Sequence, residues 1–278
     1  MVYDVRTRSG ALMANLGLGT WRMGENVATR GEEVAALRLG LELGLSLIDT
    51  AEMYADGGAE TVVAEAIEGK RDGVFIVSKV LPQNASHAGT MAACERSLKR
   101  LRVERIDLYL LHWPGEHPLE ATLGAFMRLA EQGKIAHFGL SNVDLDELAR
   151  AEQLPGGSRV GTNQVLYNLN RRGIERKLIP WCASRNIAIM AYSPLEQGRL
   201  RPDEALRRVG ARHDATPAQV AIAWTLRHDN VVVIPKAARV AHVRDNAKAA
   251  DIVLTEEDLA DIDRAFPPPR QDVPLETL

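Results

Sequence analysis

Cysteine is scarce in this chain of 278 residues: Cys94 and Cys182 are the only two, and neither belongs to a Cys-x-x-Cys pair. A disulfide framework and a thiolate zinc site are therefore not expected. Both cysteines fall in predicted helices, where a buried free thiol is the ordinary outcome. No apolar signal core follows Met1, and no apolar run approaches membrane-spanning length. Basic residues are not in excess either. Lys and Arg number 34 against 37 Asp and Glu, for a net charge of −3, and phosphate binding needs a basic surface. No Pro/Ser-rich linker or low-complexity stretch divides the chain, and no cluster of metal-ligand spacing is visible. The expectation is a cytoplasmic protein of one domain over residues 1–278, with neither nucleic acid nor membrane as partner. No large apolar stripe stands out, so a monomer is the default.

The chain has an ordinary soluble balance, 46% hydrophobic and 26% charged, arranged in repeating strand–helix units. Two short β-type pieces within residues 2–16 flank Arg8-Ser9-Gly10 and predict a hairpin. Strands are then predicted over 17–20, 45–48, 74–78, 106–110, 135–139, 160–162, 187–191 and 231–234. Helices are predicted over 32–43, 59–67, 87–101, 119–132, 145–151, 174–184, 217–227 and 240–249. A further helix follows Arg199, and Pro267-Pro268-Pro269 ends the last one. Helices 119–132 and 217–227 read as amphipathic, and Thr216-Pro217 as an N-cap with proline at the first helical position. Strand ends recur at crossover spacing: 30 residues separate Asp49 from Lys79 and 23 separate Ser141 from Gln164, as parallel strands require. Unbroken βα alternation predicts an α/β fold, a (β/α)8 TIM barrel with an N-terminal β-hairpin.

Such barrels carry their chemistry at the carboxyl ends of the strands. The residues there are Thr20-Trp21, Asp49 with Tyr54, Lys79, His112-Trp113, Ser141-Asn142, Gln164, Tyr192-Ser193 and Pro235-Lys236. Taken singly, Asp49 reads as a turn cap, Lys79 as surface charge and His112 as a structural histidine. Projected into one volume they suggest a reaction. A phenol ionises near pH ~10, and an ammonium beside it favours the phenolate. Asp49 can hold Lys79, and His112 can orient a carbonyl. Tyr54 then protonates an oxyanion as it forms, and the electrons come from a hydride carrier. Tyr192 can stack on a nicotinamide, and Ser141, Asn142 and Gln164 can hold its carboxamide.

These residues bear a resemblance. The run from Gly44 to Tyr54, Asp107 to Trp113, Gly139-Leu140-Ser141-Asn142, Ala191-Tyr192-Ser193-Pro194-Leu195 and Ile234-Pro235-Lys236-Ala237 with Asn246 resemble the signatures of the aldo-keto reductases along essentially the whole chain. The strings from Ala51 to Glu60 and from Thr162 to Tyr167 look closest to bacterial reductases of methylglyoxal and related small aldehydes. The resemblance implies a tetrad of Asp49, Tyr54, Lys79 and His112 with Tyr54 as general acid. It implies NADPH extended over the barrel mouth, contacted by Gly19, Thr20, Trp21, Ser141, Asn142, Gln164, Tyr192, Ser193, Leu195, Gly198, Lys236, Ala237, His242 and Asn246. Arg22 stands where a dinucleotide fingerprint would have its third glycine, so a Rossmann fold is not implied.

The chain departs from the family at the 2′-phosphate. Ala237 replaces a serine and His242 an arginine. Arg239 and Arg244 lie close by, and guanidinium suits phosphate. NADPH is expected first, with NADH as a weaker alternative. The segments after Trp113 and Tyr192 are short, so the pocket of Trp21, Met53 and Trp113, with Tyr167 as a further candidate, is expected to be open and to suit a small carbonyl substrate. Glu52 reads as a solvated or structural carboxylate. Three rivals remain. A Schiff-base aldolase needs Lys79 unpaired, a glycosidase needs two flanking carboxylates, and a non-catalytic nicotinamide-nucleotide-sensing subunit predicts binding without turnover.

Overall fold

A computed structural model describes residues 1–200 and 203–278. Strands β1 (Asp4–Arg6) and β2 (Leu12–Ala14) pair antiparallel, Asp4 opposite Ala14 and Arg6 opposite Leu12. Their turn carries Gly10 at φ 87°, a conformation that costs glycine little. Eight parallel strands follow: β3 (Leu18–Gly19), β4 (Leu47–Asp49), β5 (Phe75–Val80), β6 (Ile106–Leu111), β7 (Ile135–Ser141), β8 (Thr162–Leu166), β9 (Ala188–Tyr192) and β10 (Val231–Val233). Their order in the sheet is their order in the chain. The last strand returns to the first. Leu16 bridges Val233 and Gly19 bridges Lys236, both parallel, and the Gly17 N–H donates to Val233 O at 2.9 Å. The sheet closes on itself as the predicted (β/α)8 barrel. Closure needs a bare backbone at Gly19, where an added Cβ would sit 2.8 Å from Ile234 O.

The helices are α1 (Arg30–Glu42), α2 (Gly58–Ala66), α3 (His87–Leu101), α4 (Leu119–Glu131), α5 (Leu145–Glu152), α6 (Leu178–Ala183), α7 (Glu204–Arg212), α8 (Pro217–Thr225), α9 (Val240–Lys248) and α10 (Glu256–Ala265). Alternation along each strand divides the core in two. Leu47, Val77, Leu108, Leu110, Met190 and Val232 point inward, and Val5, Met13 and Ala14 of the hairpin join their cluster. The hairpin thus plugs the amino end. Fully buried Met13 contributes about 1.5–3 kcal/mol by leaving water. Ile48, Ile76, Tyr109, Phe138 and Ile189 face outward into the layer shared with the helices, to which α4 contributes Leu123, Phe126 and Leu129 at helical spacing.

Three expectations shift. The strand predicted over 160–162 lies at Thr162–Leu166. Asn163 and Gln164, beyond the predicted strand, are buried within β8, and their amide nitrogens donate to Val143 O and Asp49 Oδ1. The helix predicted from residue 174 starts at Leu178, after a separate 3-10 turn at Gly173–Glu175 and a break at Lys177. That places Pro180 in the first turn of α6, where no intrahelical N–H bond is lost. Helix α8 is not amphipathic: every residue from Gln219 to Thr225 is buried, because α7 and α9 pack on it as well as β10. Its cap is as predicted and goes further. Thr216 Oγ1 accepts from the Gln219 N–H at 3.3 Å, and Gln219 Oε1 accepts from the Thr216 N–H at 2.8 Å. Such a reciprocal box satisfies two otherwise orphaned donors.

Candidate active site

Asp49 is the last residue of β4, and Tyr54 opens the 3-10 turn Tyr54–Gly57 that follows. Lys79 lies inside β5 rather than beyond it, and His112 is the first residue after β6. Closing the barrel brings the four together. Lys79 Nζ donates to Asp49 Oδ2 at 2.8 Å, to Thr50 O at 2.7 Å and to Tyr54 Oη at 3.3 Å. Its three protons are thus used, and its side chain is wholly buried. The other carboxylate oxygen, Asp49 Oδ1, accepts from Gln164 Nε2 at 2.7 Å. The Tyr54 and His112 rings meet edge to face with centroids 5.7 Å apart, and Trp113 lies 4.8 Å from His112.

Burial dominates the electrostatics. It pushes the Tyr54 phenol well above its ordinary pKa, and the Asp49 charge pushes the same way. This reverses the expected lowering by Lys79: desolvating a phenolate costs more than one ammonium returns. The Lys79 pKa is lowered by burial, opposed by its Asp49 partner. His112 is held down to about 2 by burial and then by the Lys79 charge, so it is neutral in ordinary buffers. Its Nδ1 is fully buried without a partner, which leaves Nε2 as the ring nitrogen open to a ligand. Both cysteine thiols are pushed up to about 12 by burial and stand apart from this site.

The site opens into a cavity of about 660 Å³, within the span of about 300–1,000 Å³ usual for small-molecule sites. Asp49, Tyr54, His112 and Gln164 line its inner end, with Trp21, Met53 and Trp113 at the rim. Gly19, Thr20, Ser141, Asn142, Tyr192 and Ser193 form a wall, and Leu195, Gly198, Lys236, His242 and Asn246 continue outward. Asn142 and Ser193 hold left-handed backbones, φ 56° and 52°. Asn142 is fixed there by the Tyr192 hydroxyl, which donates to its Oδ1 at 2.9 Å, and by its own Nδ2 donating to His112 O at 3.1 Å. At the outer end the Arg239 guanidinium donates to His242 Nε2 at 3.0 Å.

Several residues stand elsewhere than expected. Ala237 faces the core instead of the cavity. Lys79 lies beneath the cavity and meets it through Tyr54 and Asp49, which line it. Tyr167 is fully buried, with its hydroxyl on Glu175 at 2.9 Å, and is not a pocket residue. Glu52 is the structural carboxylate the sequence suggested: it accepts from the Leu81 N–H at 2.8 Å and from Asn84 Nδ2 at 2.9 Å. Thr216, Gln219, Arg22 and Asp245 line the cavity without having been expected there. The sequence drew notice to Thr216 as a helix cap and to Arg22 as a departure from a dinucleotide fingerprint, and neither reading says anything of a ligand. The tail folds back, with Glu276 on Arg171 at 2.6 Å, and Leu278 reaches the cavity wall.

Residues 15–266 match the model of the aldo/keto reductase family. The chain is 50% identical over 266 residues to methylglyoxal reductase YeaE of Escherichia coli, covering 94% of each. It is 32% identical to glyoxal reductase of Bacillus subtilis over 93% of this chain and 91% of that one. Among solved structures, an aldo-keto reductase from Klebsiella pneumoniae in complex with NADPH superposes with a TM-score of 0.96 at 48% identity over the whole of both chains. Eight parallel strands closed into a barrel, a buried Lys–Asp pair beneath a tyrosine at its open end, and these likenesses lead to one conclusion: the chain belongs to the aldo/keto reductase family.

Proposed function

We propose that this chain reduces small aldehydes and ketones, methylglyoxal among them, to alcohols with NADPH, within one domain, and that Tyr54 supplies the proton. The observation that carries the reading is the chain of contacts from Asp49 through Lys79 to Tyr54, ending at a cavity edged by the neutral His112. Similarity to methylglyoxal and glyoxal reductases supports the substrate class, and likeness to an NADPH complex supports the cofactor.

The residues present suit that cofactor. Ser141, Asn142 and Gln164 bring hydroxyl and amide groups to the inner end, where a carboxamide needs donors and acceptors. The half-buried Tyr192 ring offers a flat face, held by Asn142. Lys236 and the Arg239–His242 pair bring nitrogen donors and positive charge to the outer end, where a phosphate needs them. When bound, the reduced nicotinamide supplies a hydride to the carbonyl carbon.

The chain's own residues do the rest. His112 Nε2–H donates to the carbonyl oxygen and orients it. As negative charge grows on that oxygen, the Tyr54 hydroxyl transfers its proton there. A raised phenol pKa suits this task, because the proton stays on Tyr54 until an alkoxide, far more basic than phenolate, is forming. Lys79 then stabilises the phenolate left behind, and Asp49 holds Lys79 in place. The short loops leave the rim of Trp21, Met53 and Trp113 open, which suits a small substrate.

The test is NADPH oxidation by purified protein with a panel of aldehydes and dicarbonyls, alongside Tyr54→Phe. Turnover that depends on Tyr54 supports the reading. NADPH binding without reduction of any carbonyl overturns it and favours a nucleotide-sensing role.

A further inference from the structure

We propose that Gln164 is a positioning residue for Asp49: reaching across the barrel, it holds the carboxylate that holds Lys79, and so couples the cofactor end of the cavity to the proton donor. This rests on the reading of Tyr54 as that donor. In a closed barrel of eight strands, β8 stands opposite β4. The side chain of Gln164 leaves β8, crosses the interior, and its Nε2 meets Asp49 Oδ1 at 2.7 Å. Both residues are buried, Gln164 at 2% and Asp49 at 2% exposure. A carboxylate can only accept, so the amide atom facing it is the nitrogen. The second proton of Nε2 points to Met190 Sδ at 3.9 Å, a weak acceptor. The amide oxygen has no hydrogen-bond donor among the described residues, and Gln164 lines the cavity. One side chain thus presents its nitrogen to Asp49 and keeps its oxygen for a ligand.

The geometry makes the contact more than packing. Asp49 has two carboxylate oxygens and two partners, Lys79 on one and Gln164 on the other. The charged and titratable groups around it are Lys79 from β5, Tyr54 on the turn after β4 and His112 after β6. Behind β5, the buried Glu60 of α2 bonds Ser78 at 2.6 Å. Lys79 is the only cation in that set. Without the Gln164 donor, Asp49 Oδ1 is a buried acceptor facing no proton, and a charged acceptor in that position is strongly disfavoured. Protonation of Asp49, or rotation away from Lys79, then relieves it, and either change loosens the support of the Tyr54 phenolate.

Gln164→Glu separates this role from simple cofactor binding, because it keeps the oxygen and removes the donor unless the new carboxyl carries a proton. The expected result has three parts. The NADPH dissociation constant at about pH 6, read by quenching of protein fluorescence, stays within about threefold of wild type, since the ligand-facing oxygen is retained. Turnover of the variant falls at least about tenfold between about pH 6 and pH 8, while wild type changes little, because two carboxylates at this distance share one proton. The melting temperature of the cofactor-free variant drops progressively relative to wild type above about pH 4, the ordinary glutamate range, because the folded state binds a proton the unfolded state has released.

Gln164→Met provides a neutral control that keeps the shape. It should lower kcat about tenfold or more across about pH 6 to pH 8, without the steep fall with pH expected of Gln164→Glu. The proposal is overturned if Gln164→Glu parallels wild type at every pH in turnover and melting, with its loss confined to NADPH affinity. Should wild type itself reduce no carbonyl, the proposed function fails, while the melting comparison still decides whether Gln164 holds Asp49.

Discussion

Lys79 Nζ lies 3.3 Å from Tyr54 Oη and 2.8 Å from Asp49 Oδ2, so the same ammonium touches the proposed acid and the carboxylate that neutralises it. The pair with Asp49 is the shorter contact and lies deeper. Lys79 is therefore built as a fixture beneath Tyr54 and does not line the cavity itself.

Replacing Tyr54 with Phe removes the proton donor and leaves the ring. We expect kcat and kcat/KM to fall together by about 10²–10⁴-fold, with NADPH affinity unchanged by fluorescence titration. A variant that turns over at the wild-type rate would exclude Tyr54 as the acid.

Lys79→Met tests the fixture by stability as well as by rate. It leaves the Asp49 carboxylate buried without its cation, and breaking such a pair from one side costs about 3–5 kcal/mol. Urea unfolding measures the loss. Double replacement with Asp49→Asn should recover part of the stability and none of the turnover.

His112 gives a pH signature. Its folded pKa, about 2, lies below the unfolded value of about 6.5. The unfolded chain therefore binds a proton that the folded chain refuses. The stability that neutral His112 permits is complete above about pH 6.5 and is lost as pH falls toward the folded value. In His112→Gln, melting temperature should decline less between about pH 7 and pH 5 than in wild type. His228, lowered to about 4 by burial, contributes in the same direction and stays in both proteins, so the difference reports His112.

In the proposed binding mode, cofactor choice rests on the outer end of the cavity. Lys236→Ala should raise the KM for NADPH, with a smaller effect on NADH. His242→Arg should improve NADPH over NADH, because a guanidinium pairs with phosphate by two hydrogen bonds at once. Parallel changes for the two nucleotides would show that His242 does not face the 2′-phosphate.

Neither thiol should matter. With Cys94 and Cys182 buried and pushed up to about 12, thiolate is scarce at neutral pH. A colourless-to-yellow disulfide reagent should titrate none in the native protein and both in denaturant.

The barrel was legible in the sequence because its signals are local. Apolar runs, helical periodicity and breakers such as Gly44 and Gly133 are properties of a few neighbouring residues, and crossover spacing carries them to a parallel topology. Asp49, Tyr54, Lys79 and His112 stood out because ionisable groups interrupt or end apolar strands. Tertiary structure decided what depends on distant partners. Gln164 reads as a strand-end amide for the cofactor, and its contact with Asp49 emerges only when β8 is placed opposite β4. Tyr167 reads as an aromatic of the rim until Glu175 and Trp224 enclose it. Helix α8 reads as half-exposed until α7 and α9 cover it. The phenol pKa rises instead of falling because the cost of burial is set by the whole enclosure, which neighbouring residues in the chain do not encode. Sequence by itself determined which side chains stand at the ends of which strands. Closing the barrel determined which of them share one buried space, and in a buried space desolvation outweighs a single favourable charge.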